Sequence, residues 1–360
     1  MFLRTRTTYI SKSAAITSAS ICNQMFQFSN LSKYRSVLMG IGILGVMLAH
    51  YLSWAKIASI IPTAFFRPFT GLVFTEGFLL LSGLGLYYSW QKDSNTKSFY
   101  KKRIYRLFIP YMLISFAFIV YSTIISSSTL LESTLRLLTL KFWVFGNDSM
   151  WYISVSLVLY LAFPFIYRFL FSGKFKPQIK SLFFIILWIS LCYAIHNLFA
   201  DYYKSVELGF PKIWMFFLGM LLGKYAYSNT KTSKAHIVLF GCIFVMAVLS
   251  NLSDNDFIKP FADCLLRLVT IPIVCVLFNI TQKWNGCFHK ILSWFGKYSL
   301  ELYIIHLLTY ESIKFSYQFF NSIPYTSYSR IGATISIFVA ISSCSFVHDG
   351  INRLLKRQLV

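Results

Sequence analysis

Long apolar stretches recur along the whole chain and are separated by short polar segments. Each stretch is close to the roughly 20 residues that an α-helix needs to cross a bilayer core of about 30 Å. The pattern predicts ten transmembrane helices, near residues 37–55, 69–90, 107–127, 149–167, 181–199, 208–227, 236–252, 260–280, 298–319 and 330–348. We therefore expect an all-α fold, a polytopic membrane helix bundle of about ten transmembrane helices.

The composition supports a membrane protein. Hydrophobic residues make up 56% of the 360 residues and charged residues 13%, and the mean hydropathy of +0.61 exceeds that of typical soluble domains. Because the loops are too short to fold alone, we expect one transmembrane domain over residues 33–350. Residues 1–32 are expected to form a disordered leader; alternatively, Met1 is an upstream start and Met25 is the true first residue. Residues 351–360 are expected to form a basic cytoplasmic tail.

The net charge of +22 is of the kind that nucleic-acid-binding proteins carry, but its distribution indicates another partner. Most of the 34 lysine and arginine residues fall in alternate loops, on one side of the predicted bundle. The positive-inside rule assigns that side to the cytoplasm. We expect both termini to be cytoplasmic, the bacterial inner membrane as the location, and a lipid bilayer rather than nucleic acid as the partner. The seven cysteines lack metal-ligand spacing, so neither a metal site nor a disulfide is predicted.

A few ionisable residues lie inside the predicted spans, where charge is costly and usually functional. His50 lies near the end of the apolar run MGIGILGVMLAHYLSW. A second histidine ends the segment GKYSLELYIIH, in which Ser299, Tyr303 and His306 share one helix face. A polar stripe of this kind either lines a cavity or seals one helix against another.

Two further segments combine small or basic residues in a way that suits a ligand. FTEGFLLLSGLGLYYSW places Glu76 seven residues before Gly83, and its small residues, Ser82 among them, let a helix or a ligand approach closely. Helix packing alone would explain the glycines. FYKKRIYRLFIPY carries Arg103 and Arg106 one turn apart. Arginines hold phosphate oxygens bidentately, so a phosphorylated ligand is the alternative to a plain membrane anchor.

In chain order, the motifs are the apolar run that ends near His50, FLLLSG, Arg103-x-x-Arg106, MWYISVSLVLY, FFLGMLLGK and FGKYSLELYIIH. In this order they resemble the motifs of the acyltransferase 3 family, whose members are integral membrane O-acyltransferases of about ten helices. The resemblance covers most of the chain. It implies that an acyl group, usually acetyl, moves from cytoplasmic acyl-coenzyme A to a hydroxyl of a glycan or a lipid-linked sugar. It further implies that His50 is the catalytic histidine, that Arg103 and Arg106 form the double-arginine motif, and that Ser82 and Gly83 match the Phe-Phe-x-x-Ser-Gly motif.

The sequence departs from the family pattern in two places. Leu79 replaces the second phenylalanine of the Phe-Phe-x-x-Ser-Gly motif, and Met39 stands where the family commonly has an arginine eleven residues before the histidine. Arg35 lies one turn further back, and its long side chain is expected to reach the same site. The resemblance and the polar residues inside the spans together predict donor-binding residues Arg35, Arg103, Arg106, Ser82 and Gly83, catalytic candidates His50 and Glu76, and further site candidates Trp151, Tyr303 and His306.

The chemistry of acyl transfer agrees with a histidine at this place. An alcohol is a poor nucleophile near neutral pH, so transfer from a thioester needs a base beside the hydroxyl, and imidazole ionises in the right range. His50 is predicted to be this base; alternatively, it carries the acyl group covalently. A transporter or flippase for a glycolipid or small sugar is the competing class, because it would also combine basic loops with intramembrane charges. The two halves of the chain show no internal repeat, which favours the enzyme.

The charge asymmetry leads to a test of the topology. In a variant without native cysteines, a single cysteine at Leu140 should react with a membrane-impermeant maleimide in intact cells, because its loop is predicted to be external. A cysteine at Thr230 should react only after permeabilisation. The opposite labelling pattern would place both termini outside and would reverse the orientation of His50.

Overall fold

The computed structural model describes residues 26–55, 75–125, 129–253, 255–281, 286–320 and 325–357, and within these ranges it contains sixteen α-helices and no β-strand. The helices are α1 (Ser29–Lys33), α2 (Arg35–Trp54), α3 (Thr75–Lys92), α4 (Thr96–Arg103), α5 (Ile109–Ile125), α6 (Leu130–Leu137), α7 (Lys141–Phe145), α8 (Trp151–Phe171), α9 (Pro177–Leu198), α10 (Ala200–Val206), α11 (Trp214–Tyr227), α12 (Lys234–Asn251), α13 (Lys259–Thr281), α14 (Gly286–Lys297), α15 (Ser299–Phe320) and α16 (Tyr325–Arg357). A π-helical turn (Ile104–Phe108) joins α4 to α5, and a 3-10 turn (Phe210–Lys212) precedes α11.

The prediction of an all-α helix bundle is confirmed, and each predicted span coincides with a helix over its described part. Six helical segments are long and apolar enough to cross a membrane: α2, the stretch Thr96–Ile125, α8, α9, α13 and the stretch Ser329–Leu355 of α16. A seventh span results if α10 and the segment Phe210–Tyr227, which are bent by 68° at their junction, count as one. The other helices are shorter or more polar, so the count of ten stays a prediction.

The packed bundle extends beyond both predicted borders of the transmembrane domain. Of the predicted leader 1–32, residues 1–25 lie outside the described residues, but Phe28 and Leu31 are buried in the core beside α1. At the other border, α16 continues to Arg357 and buries Ile351 and Leu355. Burial of these apolar side chains lowers the free energy relative to their exposure to water. Their packing therefore fixes the adjoining residues of the chain to the bundle.

Two apolar cores lie side by side and share helix α2. The first core lies among α1, α2, α3, α8, α11 and α13 and contains Leu38 and Phe216. The second lies among α2, α5, α15 and α16 and contains Ile43 and Leu308. Because α2 presents apolar side chains to both cores, it is hydrophobic all round and occupies the centre of the bundle.

The outer surface of the bundle is apolar as well. Phe346 on α16 is 82% exposed and Ile124 on α5 is 78% exposed, and α9 and α12 present further large hydrophobic side chains. A surface of this kind would cause aggregation in water. In a bilayer the same side chains face lipid, while the backbone polar groups are satisfied within each helix.

Glycines allow two pairs of helices to cross at very short distance. A side chain at Gly83 on α3 would overlap the backbone carbonyl of Phe216 on α11, and a side chain at Gly219 would overlap that of Leu80. Gly40 and Gly296 make a similar crossing between α2 and α14. Such close approach is typical of membrane helices, where packing and not the hydrophobic effect drives association.

The crossing of α3 and α11 should therefore depend on Gly219. Gly219→Ala should lower the stability of the purified protein in detergent by about 1–3 kcal/mol, because the added methyl group must displace backbone atoms. The control is Gly241→Ala on α12, where a side chain would meet nothing within 4 Å. It should be neutral or slightly stabilising, since alanine favours helix more than glycine does. A thermal denaturation curve of Gly219→Ala that matches the wild type would contradict the crossing.

Candidate active site

A cavity of about 140 Å³, called the inner cavity below, lies beside α2 where the two cores meet. Helices α2, α3, α8 and α15 and the π-helical turn all contribute to its wall. On α2 the lining residues are Arg35, Met39, Ile43 and Val46, which recur every three or four residues. One face of α2 therefore runs along the cavity.

Three arginines meet at one end of the inner cavity, the basic end, which is defined by Arg35, Arg103 and Arg106. The Nε of Arg35 donates a hydrogen bond to the carbonyl of Leu81 at 3.1 Å. A side chain at Gly85 would overlap the guanidinium of Arg35, so the glycine makes room for it. The three arginines come from three separate elements, and the fold gathers them around one space.

Arg103 is partly buried in the wall of the inner cavity, whereas the neighbouring Lys101 and Lys102 are exposed. Its Nη2 donates to the hydroxyl of Ser89 at 2.5 Å, and its guanidinium lies 5.3 Å from the ring centre of Phe99. Its Nε is buried without a hydrogen-bond partner. A buried donor that the protein leaves unsatisfied is a natural place for an acceptor atom of a ligand.

Arg106 belongs to the π-helical turn, and Pro110 explains why the helix widens there. In a regular α-helix the ring of Pro110 would clash with the carbonyl of Arg106, four residues earlier, and the proline has no N–H to donate. The π-helical turn over Ile104–Phe108 removes this conflict. Such turns are rare and occur frequently at functional sites.

In the part of the chain that the structure describes, no carboxylate forms an ion pair with Arg35, Arg103 or Arg106. The nearby polar side chains are neutral hydroxyls, among them Ser82 and Tyr152, whose oxygens lie 3.3 Å apart. Arg35 and Arg103 are partly buried, and Arg106 is exposed. Because buried charges are normally paired, this group of guanidinium ions is a candidate anion site, and its geometry would suit phosphate oxygens.

A pair of histidines lies one helical turn beyond the other end of the inner cavity. His50 follows the lining residue Val46 on α2, and His306 follows the lining residue Tyr303 on α15. The Nδ1 of His50 is 2.9 Å from the Nε2 of His306, and the Nδ1 of His306 is 2.6 Å from the carbonyl oxygen of Leu302. We call this part of the bundle the histidine end.

These distances define the tautomer of both rings when they are neutral. The carbonyl of Leu302 can only accept, so the Nδ1 of His306 carries a hydrogen and its Nε2 carries a lone pair. That lone pair accepts from the Nδ1–H of His50. The Nε2 of His50 is then left with a free lone pair, which is the form that a base or a nucleophile requires.

Aromatic and charged residues hold the histidine end in place. The ring of His50 stacks on Trp54, and Trp54 stacks on Tyr310 with ring centres 3.8 Å apart. Close by in sequence on α15, the carboxylate of Glu311 accepts hydrogen bonds from Arg136 at 2.5 Å and from the Ser149 hydroxyl at 2.6 Å. These contacts tie α15 to α6 and to the residues before α8.

Glu76 takes part in a separate buried cluster. Its carboxylate lies 2.6 Å from the Nζ of Lys212 and 3.5 Å from the Nε of Arg267. Trp151 borders the same cluster, because the Nζ of Lys212 lies 5.7 Å from its ring centre. The ion pairs connect α3 to the 3-10 turn before α11 and to α13. A catalytic role for Glu76 stays a prediction.

The structure thus divides the predicted site residues into three groups. The side chains around the inner cavity are those of Arg35, Ser82, Arg103, Arg106 and Tyr303. His50 and His306 lie together beyond it, whereas Glu76 and Trp151 lie with Lys212. Gly83 faces α11, as expected from helix packing, which was the alternative for this residue.

Sequence reasoning missed two tyrosines of the cavity wall. Tyr152 and Tyr160 line the inner cavity, and Ser156 between them is buried. The three residues recur every fourth position in the segment MWYISVSLVLY, so they share a helix face. Their spacing in an otherwise apolar span was the signal that could have identified them.

The described residues thus form a membrane helix bundle in which a cavity extends from three arginines toward a histidine pair. The model of the acyltransferase 3 family, an acyltransferase domain, matches residues 36–348. The chain belongs to this family and is a membrane acyltransferase. Membership decides against the transporter or flippase as the class of protein. No curated protein and no solved structure matches the chain.

Proposed function

We propose that this acyltransferase moves an acyl group, acetyl in the first place, from acyl-coenzyme A to a hydroxyl of a cell-surface or lipid-linked glycan. The donor enters at the basic end, which the charge distribution assigns to the cytoplasm. The observation that carries the proposal is the arrangement of three arginines without a described ion-pair partner at one end of the inner cavity and a histidine pair one helical turn beyond its other end.

The arginines support coenzyme A as the donor because its diphosphate is an anion of the right kind. Guanidinium groups bind phosphate oxygens bidentately and are more weakly hydrated than an ammonium group. Arg35 and His50 are fifteen residues apart on α2, which corresponds to about 22 Å along a helix. An extended phosphopantetheine arm, bound at the arginines, would bring its thioester toward the histidine pair over a distance of this order.

The histidine pair supports general-base catalysis by His50. The acceptor hydroxyl gives its proton to the Nε2 of His50 while its oxygen attacks the thioester carbonyl carbon. The carbon–sulfur bond then breaks, and the imidazolium returns the proton to the departing thiolate. The products are an ester and free coenzyme A. His306 positions the base, because its hydrogen bond to Leu302 fixes which nitrogen of His50 carries the lone pair.

A covalent route would use the same nitrogen. In that case the Nε2 of His50 attacks the thioester and forms an acyl-histidine, which the acceptor hydroxyl then cleaves. The two routes differ in one observable: radiolabel from acyl-coenzyme A would stay on the wild-type protein without acceptor, and would be absent from His50→Ala, only in the covalent route.

A polar cleft of about 440 Å³ supports a hydroxyl-rich acceptor. It lies among the end of α9, α10 and the start of α13, and it presents Asp201, Glu207 and Lys259 together with Tyr203 and His196. The Tyr203 hydroxyl and the Nδ1 of His196 are buried without hydrogen-bond partners. Groups of both charge signs beside an aromatic ring are suited to the alternating donors and acceptors of a sugar.

The acceptor can be identified by mass spectrometry of surface glycans from cells with and without this gene. We expect a mass increment of one acetyl group per modified hydroxyl, present only in cells that carry the gene. An identical set of glycan masses in both strains would remove the glycan as the acceptor.

The first prediction from the site concerns the arginines. Arg103→Lys and Arg106→Lys keep the positive charge but lose the planar fork, so each should weaken coenzyme A binding to the purified protein about tenfold. This corresponds to the loss of about 1.4 kcal/mol, in the range of one charge-assisted hydrogen bond. Titration calorimetry in detergent measures the affinity.

The matched control for these variants is Arg168→Lys, since Arg168 is exposed on α8 and does not line the inner cavity. Its affinity for coenzyme A should equal that of the wild type. If both cavity variants also bind as well as the wild type, the arginines serve as a membrane anchor and not as the donor site.

The second prediction concerns His50. His50→Gln keeps a hydrogen-bonding side chain but has no basic nitrogen, so the rate of acyl transfer should fall by about 10²–10⁴. Coenzyme A binding should be unchanged, because the donor's phosphates are held at the other end of the cavity. Glycan acetylation in a gene-deletion strain that expresses the variant measures the rate.

Tyr51→Phe is the control for His50, since it alters the next residue of α2 without removing a basic group. It should acetylate at the wild-type rate. If His50→Gln also acetylates at close to that rate, His50 is only a polar group that the bundle satisfies, and the base has to be sought at His306 or Glu76.

A further inference from the structure

A second cavity adjoins the inner cavity at the surface of the basic end. This surface basin has a volume of about 390 Å³ and lies between α4, the π-helical turn and the last turns of α16. Its polar wall consists of Ser98, Lys101, Lys102, Tyr105, Arg106 and Asn352. Arg106 lines both cavities, so it stands at their common wall.

The basin has three cationic side chains, of which one forms an ion pair and two form none with the described residues. The Nζ of Lys102 lies 2.6 Å from a carboxylate oxygen of Asp93, and the Ser98 hydroxyl donates a hydrogen bond to the same carboxylate. Hydrogen bonds from Lys102 and Ser98 lower the pKa of Asp93 to about 2, which keeps this carboxylate charged. For Lys101 and Arg106, by contrast, the described ranges offer no ion-pair partner.

The remaining groups of the basin are suited to a nucleotide. Tyr105 is half-buried and offers a flat ring beside Lys101, whose Nζ lies 6.0 Å from the ring centre. Asn352 is exposed on α16 and carries both a hydrogen-bond donor and an acceptor. A cation, an aromatic ring and an amide are the groups that bind a phosphate, stack on a base and hydrogen-bond to its edge.

We propose that the surface basin binds the phosphoadenosine head of coenzyme A, with Lys101 at its 3′-phosphate and Arg106 at the diphosphate. The inference rests on the proposed function, because it takes coenzyme A as the donor. Coenzyme A consists of a flexible arm, a diphosphate and a nucleoside with one more phosphate, in this order. The inner cavity, the shared arginine and the basin follow one another in the same order.

The physical reason for two compartments is the difference in polarity between the two parts of the donor. The wall of the inner cavity is mostly apolar and accepts the arm. A nucleotide with an additional phosphate would lose its hydration there without a matching set of partners. At the surface basin the phosphate keeps contact with water and still gains a cation.

The test compares coenzyme A with 3′-dephospho-coenzyme A. Titration calorimetry on the purified full-length protein should show that the wild type binds coenzyme A several-fold more tightly. Lys101→Gln should remove this preference, so that it binds both compounds with the affinity that the wild type has for the dephosphorylated one. Lys97→Gln, an exposed lysine on the same helix that does not line the basin, should keep the preference.

Two results would overturn the inference, and they are distinguishable. If the wild type binds both compounds equally, or if Lys101→Gln keeps the preference, Lys101 does not meet the 3′-phosphate. The donor site of the proposed function then stands as long as Arg103→Lys weakens both compounds. If the wild type binds neither compound, coenzyme A is not the donor, and the proposed function fails together with the inference.

Discussion

The structure depends on two guanidinium groups, those of Arg35 and Arg103, which are partly withdrawn from water at a mostly apolar cavity, with the exposed Arg106 beside them. Withdrawing such a charge from water is expensive unless a partner charge and hydrogen bonds replace the lost hydration. Arg35 and Arg103 receive a carbonyl and a hydroxyl as partial compensation, and Gly85 leaves the space for the first of them. No carboxylate among the described residues completes the compensation. Under the proposed function, the anionic donor would supply it.

Helix α2 connects Arg35 to His50, the residue that we propose as the base. It begins with Arg35, passes along the inner cavity and continues to His50 near its end. A straight helix is a rigid spacer, so the separation between Arg35 and His50 is set by the number of residues between them. The crossing of α2 and α14 through Gly40 and Gly296 packs this spacer closely against a neighbour. Under the proposed function, a donor bound at Arg35 would therefore place its thioester at a fixed distance along the helix, toward His50.

Much of the architecture could be predicted from the sequence, because the length of apolar runs alone identifies membrane helices. The position of Pro110, four residues after Arg106, also contained the information for a local distortion. The partners of the buried charges could not be predicted in the same way. His50 and His306 are 256 residues apart, and Glu76 meets Lys212 from a distant helix. Periodicity shows which face of a helix is polar but not which other helix that face meets, since this follows from the packing of all helices together.

The arrangement of these elements also explains why such a reaction would be carried out inside a membrane protein. A thioester donor and a glycan acceptor on opposite sides of a bilayer cannot meet in solution. The inner cavity extends from the arginines toward the histidine pair, so under the proposed function the donor would approach the histidine pair from the basic end. Because His50 is held by His306, which itself is bound to the backbone of Leu302, its lone pair does not depend on a substrate for its orientation. Under the proposed function the base would thus be preorganised, and the bundle would have to bring two substrates of very different polarity to the same nitrogen.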